Sequence, residues 1–166
     1  VSITRAGAAP SAVAQMSEWL ANAQRPLILA GGGSIDAAAE LTRLAELLDA
    51  PVALTINAKG MLPAEHPLLI GSTQSLVATR ALVADADVVL AIGTELEETD
   101  YDVTFAGGFE IPGTLLRVDI DPDQTVRNYP PKVALVADAQ YAAQAQLDGP
   151  TKQALADRRH EWGQAR

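Results

Sequence analysis

An apolar run that ends in three consecutive glycines is the feature that most constrains the fold. Residues 27–30 read Leu-Ile-Leu-Ala, and Gly31, Gly32 and Gly33 follow directly. A strand buried on both faces reads as such a continuous run, and glycines permit a tight turn and the close approach of a ligand. Ser34 comes next as a candidate cap for a helix whose free amide groups would point at an anion. The stretch therefore predicts a nucleotide-binding strand, turn and helix.

The same pattern of strand and loop recurs along the chain. Apolar runs predict strands at Leu27–Ala30, Val52–Thr55, Val88–Ile92, Leu115–Ile120 and Val133–Val136. Helical spacing predicts intervening helices after Pro10 (with Val13, Met16, Trp19 and Leu20 on one face), over Ile35–Leu48, over Leu76–Val83, over Ala139–Leu147 and over Lys152–Trp162. Strands that alternate with helices pair in parallel through right-handed crossovers. The expected fold class is α/β: a doubly wound, mainly parallel sheet of five to six strands with helices on both faces, Rossmann-like and of the DHS-like NAD/FAD-binding type.

Composition narrows the possible partners. The chain has 166 residues, which fits one domain, and its formal net charge of −9 opposes binding to nucleic acid or to an anionic membrane. It contains no cysteine and therefore neither a disulfide nor a thiolate metal site, and no apolar run is long enough to span a bilayer. A cytoplasmic location is expected. The chain begins at Val1 rather than Met, which favours a piece excised from a longer protein.

Candidate ligand-binding residues follow three of the predicted strands. They are Gly31, Gly32, Gly33 and Ser34 after the first strand, Gly93 and Thr94 after the third, and Asp119, Ile120 and Asp121 at the end of the fourth. The carboxyl ends of parallel strands share one edge of a sheet, so a bound nucleotide would lie across all three groups. Asp119 would either cap a loop or accept a ribose hydroxyl. We expect no metal site and no catalytic residue in this chain.

The motifs leave several interpretations open. The glycine turn departs from the dinucleotide-binding fingerprint at two positions. Asp36 occupies the position of the third glycine or alanine. Thr55 occupies the position, at the end of the second strand, of the acidic residue that binds the ribose hydroxyls. No lysine follows the glycines as in a P-loop. Three interpretations of the glycine turn therefore stay open. It binds NAD in the usual way, it binds another nucleotide in a shifted pose, or it serves only the fold. The Asp119–Asp123 segment lacks the glycine and the glutamate of an EF-hand, which excludes that calcium site.

An acidic loop, Glu95 to Asp102, is the most charged feature of the chain. Three interpretations of this loop are open: a solvated loop over the site, a group of carboxylates that attracts a cationic substrate, or an interface with another domain. His66 and His160 occur in no catalytic or metal-binding spacing and are expected at the surface. Lys59 would face either a phosphate or solvent.

Taken in order, the landmarks resemble the central domain of thiamine diphosphate-dependent enzymes of the acetolactate synthase and 2-oxoacid decarboxylase family. The resemblance covers about Pro10 to Leu147. The residues that carry it are Pro26–Gly33, Pro51–Thr55, Lys59-Gly60, Pro63–Pro67 with Gly71, Ala86–Gly93 and Val118–Pro122.

Three positions depart from the family pattern. Ala137-Asp138 stands where members have Gly-Asp, and Ala58 replaces a frequent glycine. Glu95-Leu96 stands where the flavin-binding acetolactate synthase type has Arg-Phe. The glutamate-rich version resembles the branch that decarboxylates guanidino-type 2-oxoacids.

The resemblance also implies what other parts of a longer enzyme supply. Thiamine diphosphate and Mg²⁺ would be bound by an N-terminal domain that holds the activating glutamate and by a C-terminal domain with a Gly-Asp-Gly motif, which this chain lacks. The central domain would bridge these two domains, stabilise a homo-oligomer (dimer or tetramer) and, in some branches, hold FAD or ADP. We expect a linker over 1–9, the central domain over 10–148 and a helical connector over 149–166, without catalytic activity of its own. The alternative is a free-standing nucleotide-binding module.

Overall fold

Six strands form a single parallel sheet in the computed structural model, which describes residues 5–97, 109–149 and 151–155. The strands are β1 (Pro26–Ala30), β2 (Val52–Leu54), β3 (Leu69–Gly71), β4 (Val88–Ile92), β5 (Thr114–Asp119) and β6 (Val133–Val136). Their order across the sheet is β3-β2-β1-β4-β5-β6, and every neighbouring pair is parallel. The predicted doubly wound α/β fold is confirmed, and the strand ends do share one edge.

Strand β1 lies at the centre, between β2 and β4. Its five residues pair in register with β4, from Pro26 opposite Val88 to Ala30 opposite Ile92. The direction in which strands are added to the sheet reverses between β1 and β4. In open parallel sheets, ligands bind beside the carboxyl ends of the strands at such a reversal.

Among the described residues, helices cover the two faces of the sheet unequally. Helices α1 (Pro10–Asn22), α2 (Ala38–Leu48) and α4 (Ala139–Asp148) contribute to the larger apolar cluster, on one face. On the other face, α3 (Val77–Asp85) is the only described helix in the smaller cluster, which also contains the loop residues Leu96 and Phe109. Within the described segments, no helix has both the length and the apolar character needed to cross a membrane.

Several boundaries and faces differ from the sequence-based expectation. The turn after β1 continues as a 3₁₀ helix over Gly32–Ala37, and α2 begins only at Ala38, so Ile35 is 53% exposed rather than on a buried helical face. Trp19 of α1 is 37% exposed. Strand β3 was not anticipated. Residues 151–155 are helical, as expected for the start of the last helix, and the remainder of that helix and positions 98–102 of the acidic loop lie outside the described residues.

Candidate functional site

A cleft of about 620 Å³ opens at the carboxyl edge of the sheet. The loops after β1, β2, β4 and β5 form its walls, which places it at the reversal between β1 and β4. Its size lies within the range of small-molecule sites, roughly 300–1,000 Å³. The lining residues are Gly31, Gly32, Gly33, Thr55, Asn57, Gly93, Thr94, Glu95, Glu97, Asp119, Ile120, Asp121 and Gln124.

The structure therefore brings together eight of the nine predicted site residues, all except Ser34. Sequence reasoning did not name Thr55, Asn57 or Gln124 as site residues, although it compared Thr55 with a ribose-binding acid and placed the loop after β2 at the ligand edge; Glu95 and Glu97 were considered only as part of the acidic loop. Thr55 and Asn57 follow β2 directly, so their position after a parallel strand was a usable signal.

The glycine turn locks β1 to β4 through the amides of Gly31 and Gly33. The Gly31 amide donates to the Ile92 carbonyl at 3.0 Å, and the Gly33 amide donates to the Gly93 carbonyl at 3.0 Å. A Cβ atom added at Gly31 would lie 2.2 Å from the Gly93 carbonyl oxygen. Because these amides are already bonded and the space above Gly31 is filled by backbone, the turn does not fit the usual cradle for a diphosphate.

Ser34 is buried and has a local structural role. Its hydroxyl donates to the Gly31 carbonyl at 2.7 Å, and its amide donates to the same carbonyl at 3.0 Å. The residue before the 3₁₀ helix is Gly31, and no side chain caps that helix. The prediction that Ser34 caps a helix aimed at an anion is wrong, because this segment winds as a 3₁₀ turn with Ser34 inside it.

Asp119 and Asp121 shape the loop that forms the opposite wall. Asp119 Oδ1 accepts a hydrogen bond from the Asp121 amide at 3.0 Å, and Asp121 Oδ1 accepts one from the Asp123 amide at 2.9 Å. Both residues also line the cleft. The loop-capping role considered for Asp119 is thus present in the structure, and the ribose-binding role stays a prediction.

A buried arginine, which the sequence analysis did not single out, supports the same wall. Arg117 lies within β5 and is 1% exposed. Its guanidinium donates to the carbonyls of Thr94 at 3.0 Å, Glu95 at 3.3 Å and Arg127 at 2.6 Å. It therefore joins the loop after β4 to the segment that follows β5. A lone arginine within the apolar run Leu-Leu-Arg-Val was the signal for this role.

The cleft is acidic. Glu95, Glu97, Asp119 and Asp121 line it, and none of its described lining residues is a lysine or an arginine. Glu97 is partly compensated by Arg127, whose Nη1 lies 3.7 Å from Glu97 Oε1. Lys59 is exposed and does not line the cleft. This charge distribution favours hydroxyl or cationic groups over phosphates.

The described residues do not provide the site that thiamine diphosphate and Mg²⁺ would need. No group of three or more histidine, cysteine, aspartate or glutamate side chains is placed to hold a metal ion in the segments that the structure describes. His66 is partly buried rather than at the surface as expected, and its Nε2 lies 3.3 Å from Glu46 Oε1. We therefore derive no catalytic step through that cofactor in this chain.

Comparison with known proteins identifies the family. The sequence model described as "Thiamine pyrophosphate enzyme, central domain" matches residues 13–146. The chain belongs to this family. The resemblance that the sequence landmarks indicated is thereby confirmed.

The individual relatives are longer proteins that are named as enzymes. The chain is 40% identical over 131 residues to "Probable 2-ketoarginine decarboxylase AruI" of Pseudomonas aeruginosa, covering 79% of this chain and 23% of that protein. It is 33% identical over 135 residues to "Probable acetolactate synthase large subunit" of Methanocaldococcus jannaschii, covering 78% of this chain and 22% of that protein. The central-domain chain thus spans about a fifth of the length of these relatives.

A solved structure shares the fold. The solved structure titled "X-ray structure of a putative thiamin diphosphate-dependent enzyme isolated from Mycobacterium smegmatis" superposes with a TM-score of 0.69. The match covers 91% of this chain and 30% of the other, at 21% sequence identity. The two share the fold of this domain.

Proposed function

We propose that this chain is the non-catalytic central domain of a longer thiamine diphosphate-dependent enzyme that decarboxylates or condenses 2-oxoacids. In this proposal the domain is a framework between an N-terminal and a C-terminal domain, which bind the cofactor and Mg²⁺. Residues 1–9 would act as a linker and 149–166 as a helical connector. The cofactor would supply the carbanion chemistry, and this chain would position the domains that hold it.

The observation that carries the proposal is the family match over residues 13–146 together with the length of the relatives. Two features of the described residues support it. They contain no metal-binding cluster, and the only charged groups that line the cleft are carboxylates. Neither feature suits a site that must hold Mg²⁺ and a diphosphate together.

For the substrate of the longer enzyme, we propose a 2-oxoacid that carries a guanidino group. The support is the relative named as a 2-ketoarginine decarboxylase, with 40% identity. The Glu95-Leu96 pair, where the acetolactate synthase type has Arg-Phe, agrees with this branch.

Activity measurements test the proposal. The longer enzyme, supplied with thiamine diphosphate and Mg²⁺, should release CO₂ from 2-ketoarginine with a higher kcat/KM than from pyruvate. The 166-residue chain alone should give no turnover under the same conditions. Turnover by the isolated chain would contradict the non-catalytic role, and a preference for pyruvate would contradict the proposed substrate class.

A second candidate function is the binding of a nucleotide such as ADP or FAD in the cleft. The position of the cleft at the reversal between β1 and β4 favours it, as do Asp119 and Asp121, which are suited to accept ribose hydroxyls. Gln124 Oε1, on the same wall, is buried with no partner among the described residues. We propose that the nucleoside end of the nucleotide would lie against this wall. The glycine turn would leave space for the phosphates without donating hydrogen bonds to them.

Thermal shift measurements separate these alternatives. A nucleotide present at 100 times its dissociation constant should add roughly 2.7 kcal/mol to the free energy of unfolding. Because no lysine or arginine is among the described residues that line the cleft, adenosine should bind within about tenfold of ADP, and Asp119→Asn should weaken both equally. Absence of a shift with ADP, FAD, NAD and adenosine would leave only the framework role.

A further inference from the structure

Helix α3 presents apolar residues to solvent rather than to the core. Of its nine residues, only Thr79 and Val83 are buried. Val77 is 81% exposed and Leu82 is 47% exposed, and Leu76, immediately before the helix, is 55% exposed. We call this exposed surface the α3 face; the smaller exposed residues within it are Ala78, Ala81 and Ala84.

The α3 face has almost no charge. Asp85 is the only exposed charged residue of the helix, and Arg25 Nε lies 3.2 Å from Asp85 Oδ2. Arg80, the other charged residue, is partly buried, and its Nε donates to the Gln74 carbonyl. On a chain with a formal net charge of −9, an apolar helix face of this kind is unusual for a surface in water.

The helix is held in a defined position. Before it, the Ser72 hydroxyl donates to the Thr55 carbonyl at 3.2 Å, and the Gln74 amide group donates to the Leu54 carbonyl. After it, Arg25 and Gln24 donate backbone amides to Asp87 at 2.9 Å and 2.6 Å. The first end of α3 is thereby anchored at the carboxyl end of β2, beside the cleft.

From these features we propose that the α3 face is a docking surface for a flanking domain of the longer polypeptide. The inference rests on the proposed function. About four-fifths of each relative lies outside the region that this chain matches, so a covering domain is available in the same polypeptide. A flanking domain is tethered to this chain and would cover the face at any protein concentration, whereas a second copy would cover it only above its dissociation constant.

Among the described residues, the smaller apolar cluster on the α3 side contains one helix, α3, and the loop residues Leu96 and Phe109. A flanking domain packed on α3 would add a further layer on that side. It would also lie close to the carboxyl edge, because Leu76 and Val77 stand at the end of α3 nearest to the cleft.

Cysteine labelling in the longer enzyme tests the docking surface. In the native enzyme, a cysteine introduced as Val77→Cys should react with a maleimide at least about tenfold more slowly than in the urea-unfolded enzyme. Val126→Cys is the matched control, because Val126 is 59% exposed, less than Val77. From this domain alone, Val77→Cys would react at least as fast as the control, so slower reaction requires a covering group from outside the domain.

Two results would overturn the inference. One is native labelling of Val77→Cys at the rate of Val126→Cys. The other is protection that disappears on dilution, which would identify a second copy as the occupant. Turnover of 2-oxoacids, measured in the same samples, tests the proposed function separately. An active enzyme whose Val77→Cys is labelled rapidly refutes only the docking surface. An inactive enzyme whose Val77→Cys is protected refutes only the proposed function.

Discussion

The contact between the ends of β1 and β4 predicts that Gly31→Ala is strongly destabilising. The added Cβ would lie 2.2 Å from the Gly93 carbonyl oxygen and 2.6 Å from Thr94 Cβ. The φ of Gly31 is −107°, which any residue adopts, so the effect is steric and not conformational. Ordinary contacts of a Cβ lie at 3.4–4 Å, and the two loops would therefore have to separate by more than 1 Å.

The expected cost follows from what that separation breaks. The hydrogen bonds from the Gly31 amide to Ile92 and from the Gly33 amide to Gly93, both 3.0 Å long, hold the loops together. Each contributes about 1 kcal/mol net, and overpacking a tight site costs about 1–3 kcal/mol. We expect Gly31→Ala to lower the free energy of unfolding by about 3 kcal/mol, which corresponds to roughly 6–12 °C in Tm for a domain of this size.

Urea unfolding followed by circular dichroism measures this loss. Gly7→Ala is the control, because a Cβ at Gly7 meets nothing within 4 Å. The control should stay within about 0.5 kcal/mol of the original chain. If both variants unfold at the same urea concentration as the original chain, the close contact between the two loops is not part of the folded protein, and the interpretation of the glycine turn as a lock between strands is refuted.

Three further changes test other contacts by the same unfolding measurement. Arg117→Met removes the donor to three backbone carbonyls and should cost about 2–4 kcal/mol; a neutral result would show that the arginine does not hold the cleft wall. Ser17→Ala removes a buried hydrogen bond of 2.6 Å to Gln146 and should cost about 1–2 kcal/mol, whereas the exposed Ser11→Ala should change little; equal effects would contradict a role for burial. Asp138→Ala removes the N-cap of α4 and should cost about 1 kcal/mol, and an unchanged midpoint would argue against the cap.

The central strands could be predicted because each is buried on both faces and therefore reads as a continuous apolar run. Strands β1 and β4 are examples, with boundaries within one residue of those expected. Strand β3 could not be predicted in this way. It has three partly buried residues at the edge of the sheet, and its apolar run, Leu68 to Ile70, is only three residues long and directly follows a segment interrupted by prolines.

The location of the cleft could also be predicted, but not what its groups do. The parallel sheet brings strand ends to one edge, which placed Gly93 and Asp119 together with the glycine turn. The pattern of glycines does not reveal whether their amides face a ligand or another strand. That depends on the approach of β4, which is distant in sequence. The face that α3 buries was equally inaccessible to prediction, because Val83 is the only large apolar residue of the helix that packs in the core, whereas Val77 and Leu82 are exposed.

The position of β1 between β2 and β4 has a consequence for synthesis on the ribosome. Val88 follows Pro26, its partner in the sheet, by about 60 residues. At about 5–20 residues per second, a nascent chain would carry one edge of β1 unpaired for roughly 3–12 s. Unpaired apolar edges invite association with other chains, and parallel pairing between distant segments is slow. The interval before β4 emerges is therefore when this chain most needs protection by a chaperone.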